Sequence, residues 1–438
     1  MPLLVKIACP LFAAGSLAVI AEATDPPTET STSSELSHRA ISGNTAAVNT
    51  VAGTGQLGEL VGMTPDTGLR LGGVFLSDFN WLITGGKEPG KTGWNFLFIL
   101  DGQVDLEKTI GIPGAGLGSQ FLLYKGHDIN GQAGTILGYN SLEALPPLNR
   151  AELYQLWWRQ TFLNDSVIVR LGKSVPTVDF TNVLTPIPIN NEPFKVPALS
   201  GLIYTPAFIN PSMLGAIPGY YDSAWGVTLN IVPHDQFYIN WGIYDGSLAS
   251  GFTTGNHAFP RFNGTYFMIA ETGGAWSLSE EGYFGRAGFG GWQQTGDLTN
   301  GTITEDGTYG FYGFASQAIW QDLSHKNDTP GKGIIAFFQW GINESETLPF
   351  NGYLGAGATA FGLVPNRAHD TFGFGAAYGW LNPNNFQRDH ELMLQTYYQA
   401  QVTDYLYVQP VISYIRNPGA SPSFSDAWAL SMRATLLF

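Results

Sequence analysis

Trp428-Ala429-Leu430-Ser431-Met432-Arg433-Ala434-Thr435-Leu436-Leu437-Phe438 closes the chain, and its spacing decides the fold. Trp428, Leu430, Met432, Ala434, Leu436 and Phe438 put an apolar residue at every second position, with Ser431, Arg433 and Thr435 on the other parity. A period of two is the signature of a strand, whose successive side chains point to opposite faces. One face of this strand suits an apolar medium and the other suits water.

The same period recurs upstream. From Trp94 to Glu107, Trp94, Phe96, Phe98, Leu100, Val104 and Leu106 share one parity, while Asn95, Asp101, Gln103, Asp105 and Glu107 share the other. Tyr154, Leu156, Trp158 and Phe162 alternate with Gln155, Trp157, Arg159 and Thr161. Leu392, Leu394 and Tyr398 alternate with Glu391, Gln395 and Gln399, and Trp225–Ile231 and Phe237–Ile243 carry Thr228, Asn230, Tyr238 and Asn240 on the polar side. Asn130-Gly131, Asn263-Gly264, Asn300-Gly301, Asp306-Gly307 and Asn351-Gly352 supply turns between such segments.

Composition says what medium the apolar faces meet. Charged residues are 13% of the 438 residues and aromatic residues another 13%, whereas a soluble domain is about 25% charged. A β-sandwich with a solvated outer face would need many more lysines and glutamates. Lys6, the apolar run Ile7–Ile20 and the small-x-small Ala21-Glu22-Ala23 predict a secretion signal over 1–23. Beyond it no window approaches the roughly 20 apolar residues of a spanning helix. The remaining structure that satisfies every backbone group inside lipid is a closed barrel. The single cysteine, Cys9, lies in the leader, which suits passage through an oxidising periplasm.

The expectation is therefore an all-β, transmembrane antiparallel barrel over 66–438, of about 16 strands with 18 as the alternative, each about 9–11 residues long. A Ser/Thr/Gly-rich segment over 24–65 would lie in the periplasm. Aromatic pairs such as Trp157-Trp158, Tyr220-Tyr221 and Tyr397-Tyr398 suit interfacial girdles facing outer-membrane lipid. The terminal strand resembles the signal by which barrels are handed to the barrel-assembly machinery through a final Phe, here Phe438. Eight prolines between Pro176 and Asp222 exclude a central strand there and predict a long stiff loop, folded into the lumen or extracellular.

The stretch Gly93-Trp94 through Asp105-Leu106-Glu107-Lys108, then Gly111-Ile112-Pro113-Gly114, resembles the OprB-type carbohydrate-selective porins. The likeness continues through Leu153–Phe162, Arg170-Leu171-Gly172-Lys173 and Asp179-Phe180, and covers about 68–438 in texture. It implies a single barrel in the outer membrane of a Gram-negative bacterium that passes glucose and related mono- and disaccharides down their gradient, without a cofactor. A homotrimer is common for such architecture, and nothing in the sequence marks a subunit interface.

Neutral sugars are held by planar groups that make paired hydrogen bonds and by aromatic faces that stack on the ring. Arginine supplies the first through its rigid five-donor fork. Arg159 and Trp157 share the inward parity of one strand, and Arg170 falls opposite Val169 and Leu171 in the next. Asp101, Asp105 and Glu107 share a face nearby. An arginine row facing a carboxylate row would order sugar hydroxyls in a constriction. The expected eyelet is thus Arg159, Arg170, Asp105 and Glu107, with Asp101, Trp157 and Lys173 beside them; the bland alternative puts some of these at the periplasmic rim.

Enzyme motifs are absent. No G-x-S-x-G occurs, His390-Glu391 is followed by Leu394 where a zinc protease needs His, and Gly355–Ala360 matches a dinucleotide fingerprint only in form. Seven scattered histidines show no metal-ligand spacing, and 20 basic residues form no cluster for nucleic acid. The formal charge of −15 disfavours anions without repelling neutral sugars. The alternatives are a general diffusion porin, or a barrel hydrolase or secreted glycan-binding protein.

Overall fold

The computed structural model describes residues 55–142, 149–164, 166–180, 201–204, 217–218, 222–234, 236–247, 260–279, 282–322 and 332–438. The leader expected over 1–23, most of the 24–65 segment and much of the Pro-rich stretch lie outside the described residues.

The described strands are β1 (Leu69–Gly86), β2 (Thr92–Asp105), β3 (Ala115–Lys125), β4 (Arg150–Phe162), β5 (Val167–Ser174), β6 (Ala224–His234), β7 (Phe237–Asp245) and β8 (Tyr266–Ser279). They continue as β9 (Gly282–Asn300), β10 (Ile303–Gln321), β11 (Gly333–Asn343), β12 (Phe350–Phe361), β13 (Thr371–Leu381), β14 (His390–Gln401), β15 (Leu406–Arg416) and β16 (Ser425–Leu437). Each pairs antiparallel with its neighbours in sequence, and β1 pairs with β16, so the sheet is a closed barrel of sixteen strands. No described helix is long and apolar enough to cross a membrane.

The alternation is visible as two surfaces. Trp94, Phe121, Trp158, Leu171, Trp241, Phe374, Leu394, Trp428 and Met432 are exposed on the outside. Their neighbours Asn95, Gln120, Arg170, Asn240, Gln395, Ser431 and Arg433 are buried within. β4 departs from the expected parity: Tyr154 is buried alongside Gln155 because the β3–β4 register shifts between Gln120 and Phe121. A bulge of this kind opposes two residues to one and turns an otherwise outward side chain inward.

Both ends of the described chain lie at one end of the barrel. Gly55 N–H and Gly73 N–H donate to the Phe438 carbonyl, and the Phe438 ring stacks on Phe98 with centroids 5.7 Å apart. Gly73 is required there, since a Cβ would stand 2.8 Å from the Phe438 ring. A helix α1 (Gln56–Glu59) packs against β1 at this end. Connections at the opposite end include the longest, 126–149 and 175–223, which carry α3 (Ile129–Ala133) and α4 (Pro176–Asp179). The β2–β3 turn, at the terminal end, holds α2 (Leu106–Ile110).

The seam between first and last strands is locked by an inward ion pair. Arg433 Nε and Nη2 donate to the two Asp78 carboxylate oxygens at 2.9 and 2.7 Å, both groups buried, and Ser431 Oγ donates to Asn80 Oδ1 at 2.6 Å beside them. Removing one partner of such a pair strands the other's charge and costs about 3–5 kcal/mol. Asp78→Ala is expected to lower the temperature at which the barrel loses its heat-modifiable gel mobility. Asp78→Ala with Arg433→Met is expected to recover part of the loss; equal stability of Asp78→Ala and the parent would show that the pair does not hold the seam.

Candidate functional site

Two connections enter the lumen from the end away from the termini. In the first, Asn140 Nδ2 donates to Asp78 Oδ2 and Asn80 Oδ1 on β1, and Asn95 Nδ2 on β2 donates to the Leu142 carbonyl. The second contributes Gly201–Tyr204: Ile203 N–H donates to Gln395 Oε1 on β14, and Gln409 Nε2 on β15 donates to the Gly201 carbonyl. Ser141 N–H donates to the Ile203 carbonyl and joins the two connections. The Pro-rich loop therefore reaches the lumen in its described part.

Arg159 and Arg170 are brought together as register partners on β4 and β5. Two guanidinium groups side by side repel, and Asp179 on α4 offsets this. Arg170 Nη1 donates to Asp179 Oδ2 at 2.7 Å, and Arg159 adds its own attraction to the same carboxylate. Burial is the larger influence on Asp179 and pushes its carboxyl above the ordinary range, with Arg170, Arg159 and the Thr228 hydroxyl pulling the other way. Arg170 is buried and Arg159 half-buried, so Arg159 is the more accessible donor of the two.

Trp157 joins this cluster in a supporting part. Its ring lies against Gly118, where a Cβ would stand 2.0 Å away, and the Arg170 guanidinium sits 5.2 Å from its centroid. With one face on backbone and a cation near it, the buried indole steadies Arg170 and offers no open stacking platform.

Asp101 lies elsewhere on the same wall, and its carboxylate accepts from Gln120 Nε2 at 2.8 Å, Gln103 Nε2 at 2.9 Å and Arg70 Nη1 at 3.3 Å. Gln155 in turn donates to Gln120 Oε1, and Gln155 Oε1 accepts from Val175 N–H at the start of α4. This amide relay places the helix that carries Asp179. Pro176 suits the first turn of that helix, where no N–H is needed.

Asp105 and Glu107 are corrections to the expected eyelet. Asp105 ends β2 and caps α2, accepting from Glu107 N–H and Lys108 N–H, while Glu107 is exposed and accepts from Gly114 N–H. The Asp-Leu-Glu-Lys run is a turn device at the terminal rim: the strand period stops at Asp105, so parity beyond it carries no facing information. Among the described residues no carboxylate row faces the arginines.

Lys173 belongs to a third group. Its Nζ donates to the Leu153 carbonyl at 2.6 Å, near Glu152 and Arg150. Arg150 bridges Glu152 at 3.1 Å and Asp222 at 3.2 Å. Sequence reasoning missed Asp179, Asp222 and Asp78. The first two come from the long connection, whose path no periodicity predicts; Asp78 stands on inward parity in β1 and was legible by alternation.

Asp222 gives a pH signature. Burial, reinforced by Glu152 and opposed by Arg150, pushes its carboxyl up to about 7. A folded-state pKa above the unfolded value means the group favours the packed state while protonated, and that contribution is lost as pH rises through 7. Protection of the segment around Asp222 from hydrogen exchange is expected to fall between about pH 4 and pH 7, the window between the ordinary aspartate pKa and the folded one. Asp222→Asn should flatten this dependence; an unchanged slope would assign it to another group.

A family model described as carbohydrate-selective porin, OprB family, matches residues 100–438. No curated protein matches the chain in sequence. The high-pH structure of Pseudomonas putida OprB superposes with a TM-score of 0.72 at 17% identity, covering 88% of this chain and 96% of that one. Its low-pH structure gives 0.55 at 15% identity, covering 91% and 100%. The anion-selective porin from Comamonas acidovorans gives 0.51 at 12% identity, covering 84% and 99%.

Proposed function

Since the chain belongs to the OprB family of carbohydrate-selective porins and forms a sugar channel in the Gram-negative outer membrane, we propose that it passes neutral hexoses such as glucose, and disaccharides, past the Arg159–Arg170–Asp179 cluster. The observation that carries this reading is the guanidinium pair held by one carboxylate. Arg159 presents a planar donor fork to a sugar diol, while Asp179 offsets the charge that would otherwise select an anion.

Elsewhere the inward cations are matched in the same way: Arg70 with Asp101, Arg150 with Glu152 and Asp222, and Arg433 with Asp78. Between them lie buried amides such as Gln120, Gln155, Gln395 and Gln409, whose donors and acceptors hold Asp101, one another and the inward segments in place. The end holding the chain termini faces the periplasm in this reading. The outward apolar row of β16 and Phe438 serves recognition by the barrel-assembly machinery, and the outward aromatic residues meet lipid.

Liposome swelling with refolded protein tests the assignment, comparing glucose with a neutral amino acid of similar size. Glucose is expected to enter faster. Arg159→Ala should reduce that preference roughly five-fold if about 1 kcal/mol of hydrogen bonding is lost. Arg170→Ala is expected to weaken it as well, by freeing Asp179 from its partner. Equal entry of both solutes, ranked by size and indifferent to either variant, would make this a general diffusion pore.

A further inference from the structure

We infer that Glu391 is the positioning residue that sets the size limit of the channel, by latching the β3–β4 connection into the lumen at the mouth away from the chain termini. Glu391 is the second residue of β14, close to that mouth, and is fully buried. Its carboxylate accepts from four donors: the Thr135 hydroxyl, Ile136 N–H at 2.9 Å, Leu137 N–H at 3.1 Å and Gly419 N–H at 2.6 Å. Three belong to the β3–β4 connection and one to the β15–β16 connection. A carboxylate is well held by several converging N–H and O–H groups, and this set needs no cation.

The geometry makes this latch specific to a lumenal segment. To reach β14 from β3, the connection passes inside β2, β1, β16 and β15. Along the way Ile129, Ala133, Leu137 and Tyr139 are buried, and Gln395 Nε2, four residues beyond Glu391 on the same face of β14, donates to the Tyr139 carbonyl at 2.9 Å. Backbone groups at 136 and 137 are thus satisfied by Glu391 and by no ladder of their own. Without it, the three donors of this connection would be left buried against the wall with no acceptor, which disfavours the inward position. The Ser141–Ile203 bond then transmits the position of this connection to Gly201–Tyr204, so one carboxylate supports both inward segments.

The test is single-channel conductance together with the entry rate of a trisaccharide relative to glucose. Glu391→Ala is expected to raise both, with the barrel still folded by its heat-modifiable mobility. Replacing 129–138 by a short glycine linker should raise both further, and adding Glu391→Ala to that deletion should change nothing more, because the residue acts through the segment. Thr135→Ala, which leaves the barrel wall intact, should shift the readings in the same direction by less. A folded Glu391→Ala channel with parental conductance and size ratio overturns the inference, as does an additive effect in the deletion background. Should Glu391→Ala not fold, an unshifted Thr135→Ala channel overturns it instead. Ion conductance reads the latch even if no sugar preference is found, so its failure is separate from failure of the sugar assignment.

Discussion

Closure of the hydrogen-bonded ladder is the constraint on which the rest of this structure depends. In hydrocarbon every unpaired backbone N–H or C=O costs several kcal/mol, so a sheet can cross only if its first strand finds its last. Here β1 pairs with β16 from Val74 with Leu437 to Gly86 with Ser425, and the inward Asp78–Arg433 pair stands in the middle of that register. A one-residue slip would reverse every side chain of a strand, putting Arg433 into lipid and Met432 into the lumen. The buried ion pair therefore specifies register as well as adding strength.

Much of the fold follows from this alternation and was legible for that reason. The terminal strand, the inward rows of β6, β7 and β14 and the strand number all rest on a period that lipid on one side and a polar lumen on the other impose. Tyr154 was not legible, because a bulge on β4 changes parity without leaving a mark in the spacing. Asp105 and Glu107 were misplaced for a related reason: a period can be counted past the end of the strand that justifies it. The capping role of Asp105 was available from its position ahead of Leu106, where a short acidic side chain accepts from the following N–H groups.

The site was legible only in part, since strands contribute half of it. Arg159 and Arg170 stand on neighbouring strands and their pairing follows from register. Asp179 comes from the helix after β5, and its arrival beside them depends on Pro176, on the relay through Gln120 and Gln155, and on Asn240 Nδ2, which donates to the Asp179 carbonyl at 2.8 Å. Such contacts join residues far apart in sequence and obey no period. Glu391 shows the same division: its inward direction was readable, and its partners were not.

Stability and permeation are coupled in this interior. A soluble protein fills its core with apolar side chains, whereas the inner wall here must stay polar enough to pass sugar yet leave few buried groups unpaired. The inward connections meet both demands. Their backbone carbonyls and N–H groups answer Asn95, Glu391, Gln395 and Gln409 across the lumen, and in doing so they occupy the space that an unobstructed barrel would leave open. The hydrogen bonds that hold these segments are also the ones that define how much lumen remains. A substitution that loosens them for the sake of flux removes partners from buried carboxylate and amide groups at the same time, so width is gained only where the wall can be resolvated.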